Sequence, residues 1–301
     1  MSKTTTNSGI NQPIVFFGTE AHSLIALRGL VEAGLPVAAV VTKSDAAKGR
    51  GKKLAAPAVK VYAEAHNIPV WQPTRLKEIT ENIQKLDNPV GILVSYGKII
   101  PAKTLELFTP GIINVHPSLL PKYRGPSPIE SAIVNRDNKT GVTIMRLVSA
   151  MDAGPIYQQV PYALDFTETK PELYDTLFTL GTNLLISKLP AILSGELQPM
   201  PQNDSDATYC SLLSKTDGDL NLSKLTPGEA EARVRAYLGY PRTRVTIGNY
   251  TIIITKAHGV MTQKTPLDLK CANGAFLSID ELIAPSGKTM SAAEFLRGYS
   301  V

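Results

Sequence analysis

The chain has 301 residues, 43% of them hydrophobic and 19% charged, with a formal net charge of +5 and a pI near 9.0. That length allows two domains or one large one with a sizeable core, and no apolar stretch approaches the roughly 20 residues of a membrane span. The two cysteines, Cys210 and Cys271, lie too far apart for a disulfide framework or a metal-ligand spacing, and the mild basicity fits a polyanionic partner.

Residues 1–12 are rich in Ser, Thr and Asn and read as a disordered tail, not a signal peptide. An apolar strand follows at 14–17. Leu24, Leu27 and Val31 then recur at helical spacing over 23–31, stopped by Gly34. Residues 36–42 are strand-like, 54–66 helical, and 91–96 a buried strand. Strand 111–116, helix 127–136, strand 142–148 and a helical pattern over 172–193 complete the series. Alternation of this kind makes a parallel sheet covered by helices. The expected fold is α/β: an open, mostly parallel, Rossmann-like sheet over 13–193. Gly18 lacks the remainder of a G-x-G-x-x-G loop, which excludes a dehydrogenase fingerprint.

Gly195, Pro199, Pro201, Asn203 and Asp204 mark a linker over 194–207. Beyond it, strand pairs 244–247/250–255 and 267–271/275–279 flank Gly248-Asn249 and Asn273-Gly274, both hairpin signals. Short strands at this density predict a small OB-like β-barrel over 208–301, a common nucleic-acid platform. Residues 290–299 close the chain as a helix, capped by Thr289 or Ser291.

Two features carry chemistry. Asn114 and His116 stand two apart on a strand and so share a face. Pro117 ends that strand, at the sheet edge where open α/β folds bind ligands. An amide donor and an imidazole there suit the stabilisation of an oxyanion. On their own they are as readily a turn former and a hydrogen-bonded core histidine. Asp152, in the loop Met151-Asp152-Ala153-Gly154-Pro155 after another apolar strand, is by itself more often a turn residue or helix cap. The second feature is Lys48-Gly49-Arg50-Gly51-Lys52-Lys53, four cations in six residues. A charge run is usually a solvated loop, yet this one leaves the second strand on the edge that carries Asn114 and His116, where it could meet phosphates.

The combination Asn114-x-His116-x-Ser118-Leu119-Leu120-Pro121, then Thr140-Gly141-Val142-Thr143, then Asp152, resembles the folate-dependent formyltransferases. Gly49 to Leu54 matches a G-R-G-K-K-L loop, and Pro57, Val59 and Lys60 match P-x-V-K. With Ser95-Tyr96-Gly97 and the linked β-rich second domain, these narrow the resemblance to the methionyl-tRNA formyltransferase family. The resemblance implies formyl transfer from 10-formyltetrahydrofolate to the α-amine of methionine on initiator tRNA; two cysteines read as reduced point to the cytoplasm, and a monomer is expected. It implies Asn114, His116 and Asp152 as catalytic residues and no metal. Ser118, Leu119, Leu120, Pro121, Tyr96 and Gly97 would line the folate pocket, and Lys48, Arg50, Lys52 and Lys53 would meet tRNA.

This chain departs from the family where Leu220-Asn221-Leu222 replaces I-D-W and Leu238-Gly239-Tyr240-Pro241 replaces P-W-P. Both departures remove a tryptophan from the second domain and leave the first domain's chemistry untouched. Three other readings compete: a formyltransferase acting on a sugar or ribonucleotide amine, a formyl-folate hydrolase, and a non-catalytic OB-type RNA-binding protein. The first two have no use for the basic loop and second domain, and the third leaves the trio idle.

Overall fold

A computed structural model describes residues 10–48 and 53–300. Its contacts divide the chain into two compact units. The first comprises residues 1–124, 141–162 and 174–209, and the second residues 125–140, 163–173 and 210–301. The segment expected as a linker, 194–207, therefore lies in the first unit. Met200 pairs there with Ile156 through two backbone hydrogen bonds of 2.7 and 2.8 Å.

The first unit is built on a seven-stranded sheet in which β1 (Ile14–Gly18) lies between β2 (Val37–Val41) and β6 (Val90–Val94). Strand β5 (Val70–Trp71) pairs outside β2, and β7 (Ile112–His116), β8 (Lys139–Arg146) and β9 (Ile156–Ala163) follow β6 in order. The pairings β5/β2, β2/β1, β1/β6 and β6/β7 are parallel. Every residue of β1 and β7 is buried, which explains their near-continuous apolar runs. Strand β8 runs antiparallel to β7, placing Met145 opposite Asn114 and Thr143 opposite His116. Val15, Phe17, Val41 and Ile112 pack with Ile83 and Phe108 on one face of this sheet.

Helix α1 (Ser23–Glu32) follows β1 as expected. The helix expected over 54–66 is shorter. Strands β3 (Ala46–Lys48) and β4 (Lys53–Ala55) form an antiparallel hairpin, and α2 spans only Ala58–Ala65. Pro57 is the reason: it caps α2 with ψ of 141°, outside the helical region, and biases Ala56 before it toward extended backbone. Of the basic loop, Gly49, Arg50, Gly51 and Lys52 lie outside the described residues. Short helices α3 (Thr80–Gln84) and α4 (Ala102–Leu105) complete the crossovers.

Further on come α5 (Pro128–Val134) and the 24-residue α6 (Lys170–Leu193). By length and apolar character α6 could cross a membrane, which corrects the expectation that no such stretch exists. Leu177, Phe178, Leu185 and Leu189 on this helix are at most 1% exposed, which is core packing.

In the second unit, α7 (Pro227–Ala236) joins an antiparallel sheet of β10 (Thr243–Ile247), β11 (Tyr250–Val260), β13 (Phe276–Ile283) and β12 (Asp268–Lys270). A fifth strand, β14 (Thr289–Ser291), pairs with β13, an arrangement consistent with a small barrel. Helix α8 (Ala292–Gly298) is capped by Ser291 in a capping box with Glu294, and its Phe295 is buried with Ile252, Leu277 and Leu282.

Asp268 accepts hydrogen bonds from the Lys264 and Thr265 backbone N–H groups, each 2.7 Å, and from the Ser278 hydroxyl at 2.6 Å. Burial pushes its carboxyl up, but those bonds outweigh burial and hold it below the usual carboxylate range. A depressed carboxyl stabilises the fold above its unfolded value of about 3.9, and that contribution is lost as pH falls through the folded value. Asp268→Asn is therefore expected to lower stability at neutral pH by about 1.5–3 kcal/mol and to flatten the acid limb of the stability profile. Denaturant titrations from neutral pH down to pH about 3 check both, and an unchanged acid limb contradicts the assignment.

Candidate active site

Asn114 and His116 project from one face of β7 at the carboxyl end of the sheet and are 5% and 4% exposed. Among the described residues no hydrogen bond engages the Asn114 amide, so its N–H donors remain available to a ligand. The His116 ring is held differently. Its Nε2 lies 3.0 Å from the Tyr123 carbonyl oxygen. A carbonyl can only accept, so Nε2 carries a proton there and Nδ1 is the nitrogen left for chemistry.

Nδ1 stands 3.8 Å from Asp152 Oδ2, an ion-pair distance longer than a hydrogen bond. Asp152 sits after β8 with φ of 47°, in the left-handed region that Asp tolerates better than most residues. Two residues on, a Cβ at Gly154 would lie 1.8 Å from the Arg146 carbonyl oxygen, so only glycine lets the loop close against its own strand. The three residues predicted as a trio thus converge at one place.

The Ser118–Pro121 loop is pinned to the neighbouring strand. Thr143 Oγ1 donates to the Ser118 carbonyl at 2.6 Å and accepts from the Leu120 N–H at 3.1 Å and from Gln159 Nε2 at 2.8 Å. Gln159 also donates to the Leu120 carbonyl at 2.8 Å. This explains why the Thr140-Gly141-Val142-Thr143 segment accompanies the Asn-x-His segment: its last threonine fixes the loop that follows β7. Ser118 donates its hydroxyl to the Lys122 carbonyl at 2.6 Å. The Ser118 and Leu120 side chains are buried, leaving those of Leu119 and Pro121 half-buried.

Tyr96 and Gly97 follow β6. The Tyr96 ring is fully buried in the core, edge-on to Phe17 at 5.6 Å, so only its backbone can meet a ligand. Its hydroxyl has no hydrogen-bond partner among the described residues, and burial pushes its pKa up to about 12. Tyr96→Phe is expected to raise stability by about 1–3 kcal/mol by removing an unsatisfied buried polar group, with the KM for a formyl donor unchanged. A weakened donor KM would place the hydroxyl in the ligand pocket. Ser95 and Gly97 both have positive φ, 49° and 70°, and Ser95 Oγ lies 2.9 Å from His22 Nε2. His22 stacks on Phe178 at 4.4 Å, a support that sequence reasoning missed.

The β3–β4 hairpin brings Lys48 and Lys53 into register. Its root is tied down by Asp45, which takes Lys60 Nζ on both oxygens at 2.9 Å and Gln72 Nε2 at 2.8 Å. The Gln72 and Lys60 hydrogen bonds hold the Asp45 carboxyl below its usual range. Lys60 is thus the anchor that the P-x-V-K motif supplies. Among the described residues no group of three or more His, Cys, Asp or Glu side chains could hold a metal.

The family described as Formyl transferase matches residues 14–189. A methionyl-tRNA formyltransferase of Myxococcus xanthus is 36% identical over 96% of this chain and 95% of its own. One from Chloroflexus aurantiacus is 41% identical over 76% of this chain and 74% of its own. Among solved structures, an N-formyltransferase of Helicobacter canadensis, in complex with folinic acid and dTDP-3-aminofucose, superposes with a TM-score of 0.68 at 19% identity. It covers 90% of this chain and 99% of its own. HypX of Aquifex aeolicus, in complex with tetrahydrofolic acid, gives 0.64 at 15% identity, over 95% of this chain and 47% of its own. At those identities the likeness is one of fold.

Proposed function

The chain belongs to the formyl transferase family, and on that premise we propose that Asn114, His116 and Asp152 move a formyl group from 10-formyltetrahydrofolate to the α-amine of methionyl initiator tRNA. The observation that carries this reading is the convergence of an unengaged amide, a ring nitrogen and a carboxylate at the carboxyl edge of the sheet. Relatives named for the tRNA reaction match both units of the chain, which favours a tRNA amine over a sugar amine as acceptor.

The amine attacks the formyl carbon, forming a C–N bond and a tetrahedral oxyanion. An α-amine titrates near 7.7–8.0, so roughly a tenth is neutral at pH 7 before any help. Stabilising the oxyanion is the larger task. Asn114 donates an amide N–H to it. His116 acts through Nδ1, because Nε2–H is held by the Tyr123 carbonyl. Nδ1 takes the proton released by the attacking amine, with Asp152 balancing the imidazolium charge. The same proton passes to the departing folate nitrogen as its bond to the formyl carbon breaks. The acceptor leaves as a formamide and the donor as tetrahydrofolate, with no redox change.

The backbone of Tyr96 and Gly97 and the side chains of Leu119 and Pro121 would border the donor. Lys48, Arg50, Lys52 and Lys53 would hold phosphates of the tRNA acceptor end. Arg50 can fork two phosphate oxygens where lysine cannot, so Arg50→Ala should weaken methionyl-tRNA binding more than Lys52→Ala, with folate Kd unchanged. The slope of log K against log salt should shrink by about 0.7–0.9 per lost contact. Fluorescence titrations at several salt concentrations check this. If folate affinity alone collapses, the loop belongs to the donor site. A monomer acting in the cytoplasm fits a role in translation.

A further inference from the structure

We propose that Gln202, locked by Arg124, is a positioning residue that sets where Asp152 stands relative to His116 Nδ1. The inference rests on the trio reading above. Gln202 uses its full hydrogen-bonding capacity. Its Nε2 donates to the carbonyl oxygens of Asp152 at 2.8 Å and Gly154 at 2.7 Å. Its Oε1 accepts from Arg124 Nε at 3.1 Å and Nη2 at 2.8 Å. Turning the amide over would set oxygen against two carbonyls and N–H groups against a guanidinium, so the orientation is fixed by chemistry.

Arg124 is fixed as well. It is 3% exposed, donates to Asp204 Oδ1 at 2.7 Å, and reaches the Tyr209 hydroxyl at 3.4 Å. Its own backbone N–H donates to the Thr208 carbonyl at 2.8 Å. Arg124 directly follows Tyr123, whose carbonyl holds His116 Nε2–H. A nearly closed circuit results: His116, the Tyr123 carbonyl, Arg124, Gln202, the Asp152 backbone, and back toward His116. Its one open edge is the 3.8 Å gap between Nδ1 and Oδ2.

Across that gap Asp152 balances the charge that Nδ1 gains when it takes the amine's proton, so the circuit holds both partners of this pair from outside. The Asp152 backbone is left-handed, with φ of 47°, a conformation that persists only where its surroundings over-determine it. The two carbonyl bonds from Gln202 are part of that determination. A misplacement of about 1 Å at a catalytic group can lower the rate roughly 10²-fold.

Gln202→Glu keeps the guanidinium partner and side-chain size but opposes two carbonyls with an oxygen. Gln202→Leu removes all four bonds, and agreement between the two variants guards against a fault in folding. Each should lower kcat about 10–100-fold, with KM for 10-formyltetrahydrofolate and for methionyl-tRNA held within about twofold. In an Asp152→Asn background, followed by single turnover, Gln202→Glu should add less than about threefold, because it acts only through Asp152. Wild-type kcat in folded Gln202→Glu overturns the proposal, as does a loss that multiplies fully in the Asp152→Asn background. If Asp152→Asn itself keeps normal turnover, the trio reading fails. If Asp152→Asn is inactive while the Gln202 variants are normal, only the positioning role fails.

Discussion

His116→Gln is expected to lower kcat by about 10²–10⁴-fold, the range of a lost proton-transfer group, while the protein stays folded. The glutamine amide can reach toward the Nε2 position and keep a donor on the Tyr123 carbonyl, the bond now 3.0 Å long. Nothing then occupies the place of Nδ1, the nitrogen facing Asp152. His116→Asn makes the complementary test. Its shorter amide lies nearer the Nδ1 position and can donate a hydrogen bond but cannot carry a proton. If oxyanion donation is the main role of the ring, Asn should retain more activity than Gln. Equal losses assign the ring chiefly to proton transfer. Normal turnover in either folded variant removes His116 from the chemistry.

Asn114→Ala should lower kcat by about 10²–10³-fold, equivalent to about 2.7–4 kcal/mol for one oxyanion donor. The residue is 5% exposed on β7, opposite Met145, and its amide meets no protein partner among the described residues. Its removal therefore strands no protein hydrogen bond, and stability should change far less than rate. Asn114→Asp should be worse still, since a carboxylate would face the developing oxyanion. The check is single-turnover kinetics at saturating donor and acceptor. A change confined to KM would mean that Asn114 binds the ground state and the transition state alike.

Much of this was legible in the chain. The apolar runs at β1, β6 and β7 and the helical spacing of α1 specify a covered parallel sheet, because buried strands leave no room for polar alternation. The placement of Asn114 and His116 follows from a two-residue strand period and a proline stop. What escaped detection has physical reasons. Helix α7 buries Ala230, Ala232, Val234 and Ala236, side chains too small to mark an apolar stripe. Its signal lay in the ends: Thr226, Pro227 and Glu229 form a capping box with proline at the first turn.

The segment 194–207 looked like a linker because its composition is Gly, Pro, Asn and Asp. Its order comes from long-range bonds, Gln202 to the Asp152 loop and Asp204 to Arg124, which no local pattern encodes. The role of Thr143 was hidden for the same reason: its partners, Ser118 and Leu120, lie more than 20 positions earlier. Tyr96 read as a pocket residue from its motif; just after β6, its ring is buried in the core beside Phe17, which leaves only its backbone for that role.

The central claim is that the trio formylates the amine of a tRNA-borne methionine. The most direct measurement offers the protein 10-formyltetrahydrofolate with methionyl-tRNA or, separately, with free methionine, and follows formylmethionine and tetrahydrofolate together. Formylmethionyl-tRNA should appear one-for-one with tetrahydrofolate, free methionine should remain unformylated, and Asp152→Asn should slow both products together, to a residual rate that single turnover still reads. Release of tetrahydrofolate without formylmethionine, or equal formylation of free methionine, would contradict the account.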